Sequence, residues 1–171
     1  MNMLFTIFAF VFFGTLLVFD NNVLVSSISL SSENEVSLIA FSEAQSVIEE
    51  AKLKAFDENT VAGAVTDSTS FSVTMGREAG ETFPYPVDTV SSALFKSSMN
   101  FDDIDDYNGY TRVVKTSSEG KGDTVITTVS YVKITNPDSA VSGKMYQKKM
   151  TVTVKSPYIP RSYSFSYVFA Y

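Results

Sequence analysis

Residues 3–19 read MLFTIFAFVFFGTLLVF and contain no charged side chain, and the run ends at Asp20-Asn21-Asn22. A helix of about 19 residues is roughly 28 Å long, which is close to the hydrocarbon thickness of a bilayer. The run therefore predicts a helix surrounded by apolar material. Three interpretations compete: a cleaved signal peptide, a permanent single-pass anchor, and a segment stored in a membrane that later becomes the core of a polymer.

The ends of this run argue against the first interpretation. A signal peptide usually begins with positive charge and ends at a cleavage site made of small residues. Here Met1 and Asn2 have uncharged side chains, and Val18-Phe19-Asp20 does not follow the A-x-A pattern. The anchor and the polymer core both remain open on these residues.

The charges divide the chain into two parts. All thirteen Lys and Arg residues lie between Lys52 and Arg161. The charged side chains of residues 1–51 are all acidic: Asp20, Glu33, Glu35, Glu43, Glu49 and Glu50. We therefore predict an apolar helical stem at 1–35, suited to a membrane or a filament core, and a globular head at 36–171.

Composition excludes several classes of function. The chain has no Cys, which rules out disulfides and thiolate metal sites, and no His, which removes the commonest general base and metal ligand. Its formal net charge of −6 argues against a nucleic-acid partner, because phosphate binding needs a basic face. We expect a protein that is not an enzyme and has no cofactor.

A second helical pattern follows the stem. Apolar residues recur at helical spacing over 36–56 and predict an amphipathic helix. Between the two patterns, Val23–Ser32 is rich in β-branched residues and Ser, which weaken helices, so we expect a long helix loosened near Gly14 or at 21–32. A membrane anchor followed by a short separate helix remains the alternative. The predicted stripe consists of Val36, Ala40, Ala44, Val47, Ala51 and Ala55.

Strand patterns occupy the rest of the head. Residues 150–155 alternate cleanly between apolar and polar side chains, and so do residues 162–171, with aromatic residues on one face and serines on the other. Two further strands are predicted at 111–116 and 124–134, joined through Glu119-Gly120-Lys121-Gly122 as a hairpin loop. The predicted fold class is α+β, a long N-terminal helix packed on an antiparallel sheet.

Other segments of the head carry weaker signals. Residues 71–75 are a weaker strand candidate, Asn136-Pro137-Asp138 is expected to open a loop that closes at Gly143, and residues 78–86 are interpreted as an exposed loop. Three lysines form a small basic patch, which we interpret as a solvated edge strand. They are Lys144, Lys148 and Lys149.

An acidic segment at 101–110 reads FDDIDDYNGY. Its four carboxylates could bind Ca²⁺, which takes six to eight oxygen ligands, but the spacing is not that of an EF-hand. The alternative is an acidic turn at 102–109 whose Asp side chains cap backbone N–H groups, with Asn108-Gly109 making the turn. We expect the structural role first and keep Ca²⁺ binding open.

The same segment resembles the FDDVDDYNG stretch of MSHA-type minor pilins and related type IV pilin-like proteins. Residues 51–58 (AKLKAFDE) are similar to the end of their N-terminal helix, and the last strand pair, with Ser156-Pro157-Tyr158 between its strands, is similar as well. The resemblance implies insertion in the inner membrane, extraction of the apolar helix, and polymerisation into a homo-oligomeric extracellular filament that serves adhesion or motility. The alternatives are a minor pilin or pseudopilin of a secretion or pilus machine, and a single-pass membrane-anchored binding domain.

The beginning of the chain departs from the type IV pilin pattern. That pattern has a basic leader cut after Gly and a glutamate at the fifth mature position, whereas here the fifth residue is Phe5 and no basic residue precedes it. A cut after Gly14 would leave an apolar, uncharged leader, so we expect Met1 to open the mature chain. Without the glutamate, the partner that neutralises a buried terminal amine is open.

The resemblance places the assembly contacts on the stem. The predicted assembly residues are Met3, Leu4, Phe5, Ile7, Phe8, Phe10, Val11, Phe12, Phe13, Leu16, Leu17, Val18 and Phe19.

Overall fold

A computed structural model describes residues 2–78, 81, 100–115 and 122–171. The chain divides into two compact units, Met1–Leu38 and Ile39–Tyr171. The predicted stem at 1–35 lies within the first unit.

Helix α1 spans Asn2–Ala51 without a break. The loosening predicted near Gly14 or at 21–32 is therefore wrong. Ser and β-branched residues each weaken a helix by only a few tenths of a kcal/mol relative to Ala, and Gly by about 1 kcal/mol, so a single Gly and one such segment are tolerated. The alternative of a separate short helix after the apolar run is not observed either.

The last turns of α1 belong to the second unit and face its core. Ala40, Ala44, Val47 and Ala51 are fully buried, which confirms the predicted stripe at these positions. The opposite side of this segment is exposed and consists of Ser42, Gln45, Ser46 and Glu49.

Helix α1 ends five residues before the predicted limit at 56. The amide groups of Leu53 and Lys54 donate to carbonyls only three residues back, which tightens the last turn. Ala55 then turns to the acidic segment: its N–H donates to Asp102 O (2.9 Å), and its carbonyl accepts from Ile104 N (3.0 Å). The distant acidic segment thus takes the backbone groups that a longer helix would have used.

Short helices follow α1 in the second unit. Helix α2 spans Glu58–Val61 and begins with a capping box. The Asp57 side chain accepts hydrogen bonds from backbone amides of the first turn, and the Thr60 hydroxyl accepts from the Asp57 amide. Two 3₁₀ turns lie at Ser68–Ser70 and Asp105–Tyr107.

Within the described residues, five antiparallel strands form one sheet. They are β1 (Thr111–Lys115), β2 (Gly122–Lys133), β3 (Asn136–Ala140), β4 (Gln147–Lys155) and β5 (Ser162–Ala170). The strand order is β1-β2-β4-β5, and β3 pairs with the far end of β2. The predicted α+β fold, with its strands at 111–116, 124–134, 150–155 and 162–171, is confirmed within two or three residues at most boundaries.

One face of the sheet packs on the last turns of α1. Alternate residues of the central strands are buried there, including Val125, Val129, Met150, Val152 and Val154. The opposite face is polar: hydroxyl pairs join Thr151 to Ser166 and Thr153 to Ser164 at 3.0 Å across β4 and β5. The period of two in the sequence therefore separates a core face from a solvated face.

Two of the weaker predictions are wrong. Residues 136–140, predicted as loop, form the exposed edge strand β3, where Pro137 is tolerated because it lacks only an outward-facing donor. Residues 71–75 do not form a strand, because the Ser72 amide donates to the Asp57 carboxylate instead of to a neighbouring strand. The predicted hairpin residues 119–121, and residues 79, 80 and 82–86 of the predicted exposed loop, lie outside the described residues.

The packing face of α1 gives a first test. An Ala44→Asp change places an unpaired charge at a fully buried position, so we expect the free energy of unfolding of the second unit to fall by about 3 kcal/mol or more. Thermal unfolding followed by circular dichroism, on the whole chain in nonionic detergent, measures the change.

Ser46→Asp is the matched control, since it adds the same charge to an exposed position of the same helix. It should leave the unfolding transition within about 0.5 kcal/mol of the original chain. Equal stability of the two variants would contradict the assignment of the packing face.

Candidate functional site

The first candidate surface is the apolar part of α1 in the first unit. All the assembly residues predicted from the sequence, from Met3 to Phe19, keep between 44% and 81% of their surface accessible. An 18-residue window of this helix has a mean hydropathy of 2.2, and none of that window is buried. By length and composition the helix could cross a membrane. An exposed apolar surface of this extent marks a site of interaction with lipid or protein.

The second candidate lies in the head, where the acidic segment folds into a turn that caps itself. Asp103 Oδ1 accepts from the amides of Asp105 (2.6 Å) and Asp106 (3.2 Å). Asp106 Oδ2 accepts in return from the amides of Asp102 (3.0 Å) and Asp103 (3.2 Å). Such reciprocal caps are what closely spaced Asp residues favour.

The residues after these caps attach the turn to β2. Gly109 has a φ of +75°, which suits glycine and completes the predicted Asn-Gly turn. Its amide donates to Thr127 O (3.0 Å), and Asn108 Oδ1 accepts from Val129 N (3.0 Å). The expectation that the acidic carboxylates cap the backbone and that Asn108-Gly109 turns the chain is met by these contacts.

Lys148 lies fully buried beneath the turn, on the core face of β4. Three oxygens surround its ammonium: Phe56 O at 2.7 Å, Asp57 Oδ2 at 2.8 Å and Asp105 Oδ1 at 2.6 Å. The contact with Asp105 is an ion pair without the directed geometry of a hydrogen bond. The ammonium also lies 4.7 Å from the centre of the Phe56 ring, within the range of a cation–π contact.

Asp57 connects four segments through one buried carboxylate. It caps α2 by accepting from the amide of Asn59 (3.2 Å), and it accepts from the amide of Ser72 at 2.9 and 3.0 Å. The hydroxyl of Tyr131 on β2 lies 2.9 Å from Asp57 Oδ2, and Lys148 binds the same oxygen from β4. The carboxylate therefore fixes the segment after α1 against both central strands.

The position of Lys148 corrects the interpretation of the basic patch as a solvated edge strand. Strand β4 is central, between β2 and β5, and Lys148 is one of its four buried residues. Lys149 lies on the other face and pairs with exposed Asp138 at 3.1 Å. Counting back by two from Met150 would have placed Lys148 on the core face. Lys148 was nevertheless predicted to be solvated, because charged side chains are usually excluded from protein cores. The carboxylates that make its burial possible are distant in sequence.

The carboxyl groups of this network differ in the direction of their pKa shifts. Burial alone would raise the pKa of Asp57, but hydrogen bonds and charge from Lys148, with those from Ser72 and Tyr131, hold it below its usual value. Burial raises the pKa of Asp105 to about 6 in spite of Lys148. Burial, and then the charges of Asp105 and Asp106, raise the pKa of Asp103 to about 8. One lysine therefore does not neutralise all of these carboxylates.

The acidic turn has an outer side as well, formed with Glu78 and Glu81. Carboxylate oxygens of Glu78, Glu81 and Asp106 lie within 4.8 Å of one another. Burial and a hydrogen bond with Glu81 raise the pKa of Glu78 to about 7. Burial and the neighbouring Glu81 carboxyl raise the pKa of Asp106 to about 7, although the hydrogen bonds from the amides of Asp102 and Asp103 act to lower it. The nearby carboxyls of Glu58 and Asp102 also have raised pKa values, through burial first and then through charges that include Glu81.

The structure thus divides the predicted 102–109 loop into two sides. Asp103 and Asp105 lie on the inner side near Lys148, and Asp106 reaches the outer cluster. Sequence reasoning did not include Asp57, Glu78, Glu81 or Lys148 in this site. Asp57 belonged to the segment compared with the end of the pilin helix, and Glu78 and Glu81 belonged to the predicted exposed loop. Only the tertiary fold brings these acids to the acidic turn.

Comparison with known proteins gives no match: no family model, no curated protein and no solved structure is similar to this chain. The class is defined by the architecture, an α+β protein with one long apolar N-terminal helix and an antiparallel sheet. This architecture is compatible with a pilin-like fold.

The buried lysine gives a second test. A Lys148→Met change keeps an extended side chain but leaves Asp57 and Asp105 without their cation, so we expect a loss of about 3–5 kcal/mol in the free energy of unfolding near pH 8. Chemical unfolding of the whole chain in detergent measures it. The neighbouring Lys149→Met, on the other face of β4, should change stability by less than about 0.5 kcal/mol. Similar losses in both variants would contradict the ion network.

A third test uses pH. The pKa values of Asp103, Asp105, Asp106 and Glu78 are higher in the folded chain than their ordinary values, so the folded state binds more protons than the unfolded state between about pH 4 and 8. Stability should therefore fall as pH rises through this window. Below about pH 4 the trend should reverse, because the depressed pKa of Asp57 stabilises only the ionised form.

Asp103→Asn isolates one of these groups. It preserves the oxygen that caps Asp105 and Asp106, so its cost at pH 5 should be at most about 1 kcal/mol, the scale of one hydrogen bond. Its stability should decline less steeply than that of the original chain between pH 6 and 8, in melts with EDTA present. The stability of Asp138→Asn, a change at an exposed position, should depend on pH in the same way as that of the original chain. The same pH dependence of stability in Asp103→Asn as in the original chain would contradict the raised pKa of Asp103.

Proposed function

We propose that this protein is a structural subunit of an extracellular type IV pilus-like filament, which assembles through its apolar N-terminal helix and serves adhesion or motility. Before assembly the stem lies in the inner membrane, and after assembly identical stems pack together in the filament core. The observation that carries this proposal is the continuous helix whose apolar N-terminal side chains have no partner within the described chain. The resemblance of residues 101–110 to type IV pilin-like proteins supports the same function.

Energetics favour assembly of such stems. Full burial of a Leu, Phe, Ile, Val or Met side chain contributes about 1.5–3 kcal/mol relative to exposure to water. The stem presents a run of such residues at 3–19, with no charge to oppose close packing of helices. Part of this gain is offset by the loss of translational and rotational freedom on association. Burial against other copies or in lipid removes the surface from water equally well, so specificity has to come from packing.

The runner-up function is a single-pass membrane-anchored binding domain. The favouring observation is the same apolar window, whose mean hydropathy of 2.2 suits a bilayer. The two functions differ in what they require of the stem. A lipid anchor depends on overall hydropathy, whereas a filament core depends on the shape of each side chain.

A permuted stem tests this difference. The changes Phe10→Leu and Phe12→Leu, combined with Leu16→Phe and Leu17→Phe, leave composition unchanged and alter only shape. Each misfitting side chain in a packed core costs about 1–3 kcal/mol, so we expect the amount of sheared filament to fall by at least about tenfold. Electron microscopy and immunoblotting of material sheared from cells that produce the chain measure it, while the membrane fraction should contain as much protein as before.

Two further observations complete the experiment. A chain that begins at residue 25 should be soluble and form no filaments, and filaments from it would contradict assembly through the stem. Unchanged filaments from the permuted chain would contradict specific packing. The absence of filaments from the original chain would favour the membrane anchor, and immunogold labelling confined to filament ends would favour a minor pilin or pseudopilin over a main subunit.

A further inference from the structure

We propose that Glu78, Glu81 and Asp106 form a binding site for one calcium ion on the head, which links Glu78 and Glu81 to the acidic segment. The proposal concerns the outer side of the acidic turn, apart from the Lys148 network and from the stem. It does not depend on whether the chain forms filaments.

The three carboxylates converge from separate parts of the chain. Their oxygens lie within 4.8 Å of one another, although Asp106 is 25 residues or more distant in sequence from the other two. Two hydrogen bonds hold Glu78 and Glu81 together, since Glu81 N donates to Glu78 O (3.3 Å) and Glu81 Oε2 accepts from Glu78 N (3.0 Å). Three acidic groups held this close repel one another unless a cation or protons intervene.

An unpartnered oxygen points to the ligand. Asp106 is fully buried, and its Oδ2 is used by the amides of Asp102 and Asp103. Its Oδ1 is buried without a hydrogen-bond partner in the described chain, and it belongs to the carboxylate that meets Glu78 and Glu81. A buried carboxylate oxygen without a partner is costly, and a cation on the side of the two glutamates satisfies it.

The type and irregularity of the ligands favour calcium over magnesium. Ca²⁺ takes six to eight oxygen ligands in a flexible arrangement, whereas Mg²⁺ demands near-ideal octahedral geometry and gives up its waters reluctantly. Calcium also accepts irregular sets of carboxylates completed by water, which suits a site where Glu78 is exposed and Asp106 is buried. The neighbouring carboxylates of Glu58 and Asp102 add negative potential without being required as ligands.

Binding is tested directly on the whole chain in nonionic detergent. After treatment with EDTA and its removal, equilibrium dialysis against radioactive CaCl₂ should give saturable binding of one ion per chain, with MgCl₂ a weak competitor. Glu81→Gln keeps the size of the side chain and removes its charge, and should weaken Ca²⁺ binding by about tenfold or more, because ligand charge sets affinity in such sites. Glu78→Gln should weaken it in the same direction.

Glu49→Gln is the matched control, because it removes the same charge from an exposed position on α1 away from the cluster. Its Ca²⁺ affinity should equal that of the original chain, and far-ultraviolet circular dichroism should show all variants folded. The melting temperature of the original chain should rise with CaCl₂ concentration, and that of Glu81→Gln should rise less. No saturable Ca²⁺ binding to the original chain, or equal affinity in Glu81→Gln and Glu49→Gln, would overturn the proposal.

Discussion

A buried ammonium group is the constraint on which the head depends. Lys148 lies on the core face of a central strand, and a charge in that position is tolerated only if oxygens replace the water that it has lost. The carbonyl of Phe56 and the carboxylates of Asp57 and Asp105 meet this requirement. They come from the segment after α1 and from the acidic turn, so the end of the helix, the turn and the sheet have to assemble together.

The same constraint explains why so many acidic side chains are buried in one place. Once the segment after α1 and the acidic turn have been drawn to Lys148, the other carboxylates of the turn are enclosed with them. Backbone amides satisfy part of their hydrogen-bonding capacity, as for Asp103 Oδ1 and Asp106 Oδ2. Burial, and then the neighbouring carboxylates, raise the pKa of Asp103 to about 8 and that of Asp106 to about 7. The head is therefore stabilised by one ion network and strained by an excess of negative charge at its outer edge.

The first unit follows different physics. Its helix satisfies every interior backbone group by itself but leaves the apolar side chains of residues 3–19 exposed. Such a surface has no stable place in water, and both a bilayer and a bundle of identical helices accept it. The proposed passage from membrane to filament uses this equivalence, since the stem exchanges lipid contacts for protein contacts without changing its secondary structure. The folded head keeps its own core and surface throughout.

Local patterns were sufficient for most of the architecture. The charge-free run predicted the apolar helix, alternation predicted β4 and β5, and the stripe through Ala44 and Val47 predicted which face of α1 is buried. These features depend on the period of a helix or strand, and that period is visible in neighbouring residues. The reciprocal Asp caps could be predicted for the same reason, because they join residues two to four positions apart.

Only the tertiary structure decided where the charges are. Lys148 followed the pattern of a buried strand residue, yet its burial depends on Asp57 and Asp105, 91 and 43 residues away in sequence. The end of α1 at Ala51 depends likewise on the pairing of Ala55 with Asp103. The cluster of Glu78, Glu81 and Asp106 exists only because the fold brings the two glutamates to the acidic segment. A buried charge or a shared cation needs partners from several segments at once, and no local period in the sequence records which distant segments those are.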